Sequence, residues 1–110
     1  MIKVKGTDIF IVRGDAATIN LTIKDKVAKN NYALDEKDKV TLSVKKDIYC
    51  KDILIQKDFE NNTLWLEKED TQNLDFGEYV YDVQLTYQDG KKDTIIQPSK
   101  FIILSEVNDL

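Results

Sequence analysis

A chain of 110 residues with a net charge of −4, 42% apolar and 33% charged, closes one hydrophobic core and is too short for two. Fifteen of its sixteen cations are lysines scattered singly or in pairs, which leaves no basic stripe for a phosphate backbone and sets nucleic acid aside as a partner. The absence of histidine removes imidazole-based nucleophilic catalysis and almost every zinc site, and the single cysteine, Cys50, removes any internal disulfide. Ile2 and Val4 alternate with Lys3 and Lys5. Gly6-Thr7 then breaks the pattern before Ile9 to Val12, predicting a first strand in two pieces with an edge character. Arg13-Gly14-Asp15 makes a turn. Ala17, Ile19, Leu21 and Ile23 alternate with polar residues in a clear half-buried strand.

Asp25 to Lys39 is polar apart from Tyr32-Ala33-Leu34, a short strand or a packed loop. Val40, Leu42 and Val44 resume the alternation, and a connection through Cys50 and Asp52 follows. Ile53 to Phe59 and Thr63 to Lys68 flank Glu60-Asn61-Asn62, where asparagines that tolerate the left-handed region predict a hairpin. Ile53 and Ile55 are expected to share a face with Leu64 and Leu66, which puts Trp65 on the other face as a candidate contact residue. Asp70 is placed to cap one helical turn whose Leu74 points inward.

The strongest signal is Gly77 to Leu104. Tyr79, Tyr81, Val83, Leu85 and Tyr87 fall on one face of a long strand, while Glu78, Asp82, Gln84 and Thr86 fall on the other. Asp89-Gly90 predicts a two-residue turn into an antiparallel partner through Thr94 to Ile96. Pro98 marks an edge or a change of sheet, and Phe101 and Ile103 form a last strand. Seven or eight short strands without helical periodicity predict an all-β fold, an antiparallel β-sandwich as a single domain over residues 1–110.

Asp75-Phe76-Gly77-Glu78-Tyr79-Val80-Tyr81 resembles the D-x-G-x-Y-x-C segment of immunoglobulin-like domains. The resemblance places Tyr79 at the corner tyrosine, whose hydroxyl bonds back to the backbone, and Gly77 at the turn beside Asp75. Tyr81 stands where antibody domains carry a cysteine, which departs from the antibody-type core. A broader resemblance covers nearly the whole chain. It runs through Ile11-Val12-Arg13-Gly14-Asp15, Asp38-Lys39-Val40 with Val44-Lys45-Lys46, Glu69-Asp70-Thr71 with Leu74, Gly77 to Leu85, and Ile95 to Phe101. In this order the motifs are similar to small structural proteins of phages and prophages of Gram-positive bacteria, and to the N-terminal module of upper baseplate proteins. The resemblance implies an immunoglobulin-like module of a virion tail or baseplate, made in the host cytoplasm, whose partners are other phage structural proteins and itself. The alternative is a surface adhesion or carbohydrate-binding module of a larger bacterial protein.

Several constellations have plainer readings. Arg13-Gly14-Asp15 spells an integrin-binding tripeptide but is also good turn chemistry. Asn20-Leu21-Thr22 and Asn61-Asn62-Thr63 match the glycosylation acceptor and read as strand and turn. Asp35-Glu36-Lys37-Asp38 lacks the spacing and glycine of a calcium loop. Glu78 and Asp82 lie about 13 Å apart along a strand, too far for a glycosidase pair. The row Tyr79, Tyr81 and Tyr87 reads as a core face rather than a sugar platform. Cys50 has only Lys51 beside it as an activating cation. No apolar run reaches the roughly 20 residues that span a bilayer, and no signal segment opens the chain. The expectation is a non-enzymatic protein with no cofactor, no metal and no membrane, with the first strand, the last strand and Trp65 as contact surfaces.

Overall fold

A computed structural model describes residues 2–21, 24–25, 30–31 and 38–105, and these are mostly strand. Six strands form the main sheet: β1 (Ile2–Lys5), β2 (Asp8–Val12), β6 (Lys39–Lys45), β7 (Ile53–Asp58), β9 (Gly77–Thr86) and β10 (Lys92–Leu104), in the order β1-β2-β10-β9-β6-β7. A second sheet has two strands, β3 (Ala17–Asn20) and β8 (Thr63–Leu66), and a third pairs the two-residue strands β4 (Lys24–Asp25) and β5 (Asn30–Asn31). The stretch Tyr32 to Leu34 lies outside the described residues, as does Ile23.

Strand β9 holds the centre because its period-two pattern is the cleanest in the chain. Tyr79, Tyr81, Val83 and Leu85 are all buried, and the strand is paired along its length by β10 on one side and β6 on the other. Val40, Leu42 and Val44 of β6 stand opposite Leu85, Val83 and Tyr81, so each buried residue meets another on the same face. Ile9 and Ile11 of β2, Phe101 and Ile103 of β10, and Leu64 and Leu66 of β8 complete one core, with Ile19 and Leu21 half-buried against it. The rings of Tyr81 and Phe101 meet edge to face at 6.2 Å between centroids.

Several sequence expectations are corrected by the pairing. The first strand is not one strand in two pieces. Gly6, at φ +62°, lets the chain reverse, so that Ile2 to Lys5 pair antiparallel with Asp8 to Ile11 and β1 becomes the outer edge. An all-antiparallel sheet is not what forms: β2 runs parallel to β10, Ile9 to Val12 opposite Phe101 to Leu104, which makes the main sheet mixed. Asp89-Gly90 is not a two-residue turn. The Gly90 N–H donates to the Tyr87 carbonyl at 2.9 Å, and Gly90 alone there has positive φ, +90°, giving a three-residue loop over Gln88 to Gly90.

The last two strand segments are in fact one. Strand β10 runs from Lys92 to Leu104 with its ladder to β9 slipping between Thr94 and Ile96 and again between Ile96 and Ser99. Pro98 sits in the second slip, on the part of β10 that β2 does not pair, where a missing N–H breaks no bond.

The Asn61-Asn62 turn does form, with both residues at positive φ (50° and 65°) and reciprocal Glu60–Thr63 backbone bonds of 2.8 and 2.9 Å. It joins two sheets rather than two neighbours, because β7 pairs β6 while β8 pairs β3. Ile55, Leu64 and Leu66 are buried as expected, but Ile53 is exposed, at the strand end beyond a slip in the β6–β7 register. Across this junction the Lys57 ammonium reaches the Asp70 carboxylate at 2.7 Å and the Trp65 carbonyl at 2.8 Å, tying the two sheets at their shared end.

The single helical turn α1 (Lys68–Thr71) is capped from its third position rather than by Asp70 preceding it. The N–H of Glu67, the capping residue, donates to the Asp70 carboxylate at 2.7 Å. Leu74 packs partly against the core. Thr71 is fully buried, and its Oγ1 accepts the Gly14 N–H at 2.8 Å, fastening the Arg13-Gly14-Asp15 turn to the helix. Replacing Thr71 by the isosteric valine orphans that N–H at constant volume. Thr71→Val is expected to lower the unfolding free energy by about 1–3 kcal/mol, read from the urea midpoint at unchanged slope.

Candidate functional site

The corner that opens β9 is built by one hydroxyl. The Tyr79 O–H donates to the Asp75 carbonyl at 2.7 Å, while Gly77, at φ +136°, lets the chain bend between them. Asp75, Gly77 and Tyr79 therefore come together at one end of the main sheet. Asp89 and Gly90 lie at the other end of β9, and Trp65 stands on the outer face of the β3–β8 sheet opposite Thr18, half-exposed.

The turn around Gly14 belongs to the Tyr79 end as well. Leu104 is opposite Val12, its carbonyl accepts the Arg13 N–H at 3.0 Å, and the Arg13 guanidinium stacks over the Phe76 ring at 4.2 Å. The integrin-like tripeptide is thus folded into the corner, with Arg13 on Phe76 and Gly14 on Thr71.

Beyond β6, which has Lys45 opposite Val80, the loop through residues 46–52 returns at the same end. Asp47 organises it: one carboxylate oxygen accepts the N–H groups of Tyr49 and Cys50, each at 2.9 Å. That turn leaves Tyr49 87% exposed. Between this loop and the corner lies a groove of about 380 Å³ lined by Lys46, Leu54, Leu74, Phe76 and Gly77, with Asp75 and Glu78 at its side.

Sequence reasoning named Trp65 and the outer strands, and did not single out Tyr49, Leu54 or Phe76. A signal for them existed. Ile53-Leu54-Ile55 is an apolar run in which strand alternation cannot bury all three, and Ile48-Tyr49 is an apolar pair inside a polar loop.

A second cleft, about 320 Å³, opens between the sheets because the two-stranded layer is narrower than the six-stranded one. Val4, Ile9, Ile19, Leu21, Leu42, Phe59, Val83 and Ile96 line it with Thr7, Thr18 and Asn20, and among the described residues no carboxylate enters the lining. Over it the Tyr81 hydroxyl donates to the Thr7 carbonyl. Several acids are instead spent on hydrogen bonds within the sheet and its turns. Asp38 accepts the Gln88 N–H at 3.2 Å, Asp93 the Tyr87 hydroxyl at 2.8 Å and Asp8 the Lys100 N–H at 3.0 Å. Asp35 to Lys37 lie outside the described residues, and among those described no group of three or more acids or thiols is disposed to hold a metal ion.

Of the two sequons, Asn20 accepts the Thr63 hydroxyl at 3.0 Å and Asn61 occupies the turn. Cys50 is half-buried, its Sγ 4.0 Å from the Asp52 carbonyl. No described helix is long and apolar enough to cross a membrane. Compared with protein-family models, curated proteins and solved structures, the chain matches none.

Two tyrosines carry the titration signature of this architecture. Burial, with the nearby Asp8 charge adding to it, pushes the Tyr81 phenol up to about 12. Burial and then the Asp75 charge raise Tyr79, against the backbone bond to Asp75. Each holds its proton to higher pH when folded than when unfolded, so stability is fully present below pH 10 and falls as pH rises towards 12. Tyr81→Phe is expected to flatten that alkaline loss, measured as urea midpoints between pH 8 and 11.5. At neutral pH, Tyr79→Phe removes the corner bond and is expected to cost about 1 kcal/mol with the far-ultraviolet circular dichroism unchanged.

Proposed function

We propose that this chain is a non-enzymatic structural or attachment module of a phage virion, at the tail or baseplate, with an immunoglobulin-like β-sandwich fold that works through protein–protein contacts. The sandwich reading is supported by two sheets closing over one core and by the Tyr79–Asp75 corner bond, which is how an immunoglobulin-like tyrosine corner ties its loop. The virion reading is supported by the order of turn and strand motifs from Ile11 to Phe101 that resembles phage structural proteins.

The observation that carries the contact role is the placement of exposed apolar side chains. The carboxylates and phenols described above serve local hydrogen bonds, whereas Tyr49, Leu54, Phe76 and Trp65 are presented outward. A surface of that kind is matched by another protein surface rather than by a small polar substrate. Immunogold electron microscopy of particles from a phage or induced prophage that encodes the chain is expected to decorate the tail or baseplate. Bare particles, with the protein left in the unassembled lysate fraction, would refute the assignment.

A further inference from the structure

The main sheet and the β3–β8 sheet have four edge strands between them, and among the described residues three carry a charged guard. Strand β1 presents Lys3 and Lys5 to solvent, and Lys57 of β7 turns inward to hold the Trp65 carbonyl of β8 at 2.8 Å. Charge placed in this way keeps an unpaired ladder from taking a wrong partner. Strand β3 has no such device, since Ala17-Thr18-Ile19-Asn20 contains neither a charge nor a proline. Its free backbone groups can be assigned. The Leu21 N–H donates to the Asn62 carbonyl at 2.8 Å, so Leu21, Ile19 and Ala17 turn their groups toward β8, while Thr18 and Asn20 turn theirs away. No described strand takes them. Thr18 and Asn20 also line the inter-sheet cleft although their side chains are exposed, which puts their backbone along its mouth. We infer that the β3 edge is a strand-addition site, where an extended segment of a partner protein pairs with Thr18 and Asn20 and sets uncharged apolar side chains into the cleft.

Backbone and charge together fix the occupant. A row of N–H and C=O groups at strand spacing is matched by another extended backbone, which a lipid lacks. Charge complementarity then sets the side chains. The described lining holds Val4, Ile19, Leu42, Phe59 and Ile96, with hydroxyl and amide groups but no charged side chain, so an ammonium or carboxylate pushed into it would be desolvated without a partner. The cleft, at about 320 Å³, has room for a few aliphatic side chains carried at alternate positions of a strand. Main-chain pairing supplies the affinity of such a contact, and the cleft supplies its selectivity.

This names a mode of contact for the protein-contact module proposed above and rests on that reading only for there being a protein partner; particle labelling and the solution test below fail independently. Amide hydrogen exchange of the full chain, followed by nuclear magnetic resonance, is expected to show Ile19 protected and Thr18 and Asn20 exchanging freely. The probe is a capped hexapeptide of alternating threonine and valine. Added up to about 2 mM, it is expected to slow exchange at Thr18 and Asn20 at least ~10-fold and to shift the Ile19 and Ile96 methyl signals. The same peptide with lysine in place of valine, or fully N-methylated, is expected to bind at least ~10-fold more weakly. Thr18 and Asn20 already protected in the dilute free chain would mean that the chain covers its own edge, and protection that grows with chain concentration alone would mean a second copy. Either result overturns the assignment, as does binding indifferent to N-methylation or no response to the probe.

Discussion

Tyr79, Tyr81, Val83 and Leu85 on the inward face of β9 are the constraint on which every other part of the structure leans. They contact both flanking strands at once, and the buried residues of β6 and β10 have their places only relative to them. Burying four such side chains is worth roughly 1.5–3 kcal/mol each before the entropy of ordering is charged against it. The two tyrosines do more than fill volume. Each buries its ring and spends its hydroxyl on a carbonyl of a neighbouring connection, Asp75 in one case and Thr7 in the other, so the same row that makes the core fixes both the corner and the β1–β2 turn.

The polar ties follow from that frame. Thr71 reaches Gly14 and Leu104 reaches Arg13 near the end where β9 starts, while Lys57, on the strand position opposite Leu42, reaches Asp70 and Trp65 further along the sheet. An end stitched together in this way presents its exposed apolar residues from a fixed backbone. A docking surface gains from that, because little conformational freedom is left to lose when it is covered.

Much of the fold was legible because β6 and β9 alternate cleanly and their hydrophobic phase admits one inward face. The turns at Arg13 to Asp15 and at Asn61-Asn62 were legible from residues that accept special backbone angles. Partner identity was not. Alternation in Ile9 to Val12 says that β2 has a buried face but nothing about running parallel to β10, and the Asn-Asn turn says nothing about its strands parting to separate sheets. Those choices are made by contacts between residues far apart in the chain, to which local pattern is blind. The candidate site was legible only in part for a related reason. Tyr79 sits in a local motif, whereas Lys46, Leu54 and Phe76 come to line one groove only after three separate segments have converged.

The parallel pairing of β2 with β10 joins residues 9–12 to residues 101–104 across nearly the full described length. During synthesis the β1–β2 hairpin has no neighbour on its inner side until the ribosome has released residue 104, whereas β6, β7 and β9 can assemble earlier. Completion of the main sheet is therefore a late, long-range closure with a high entropic threshold, and a nascent chain stalled before that point carries an unpaired strand edge open to wrong partners.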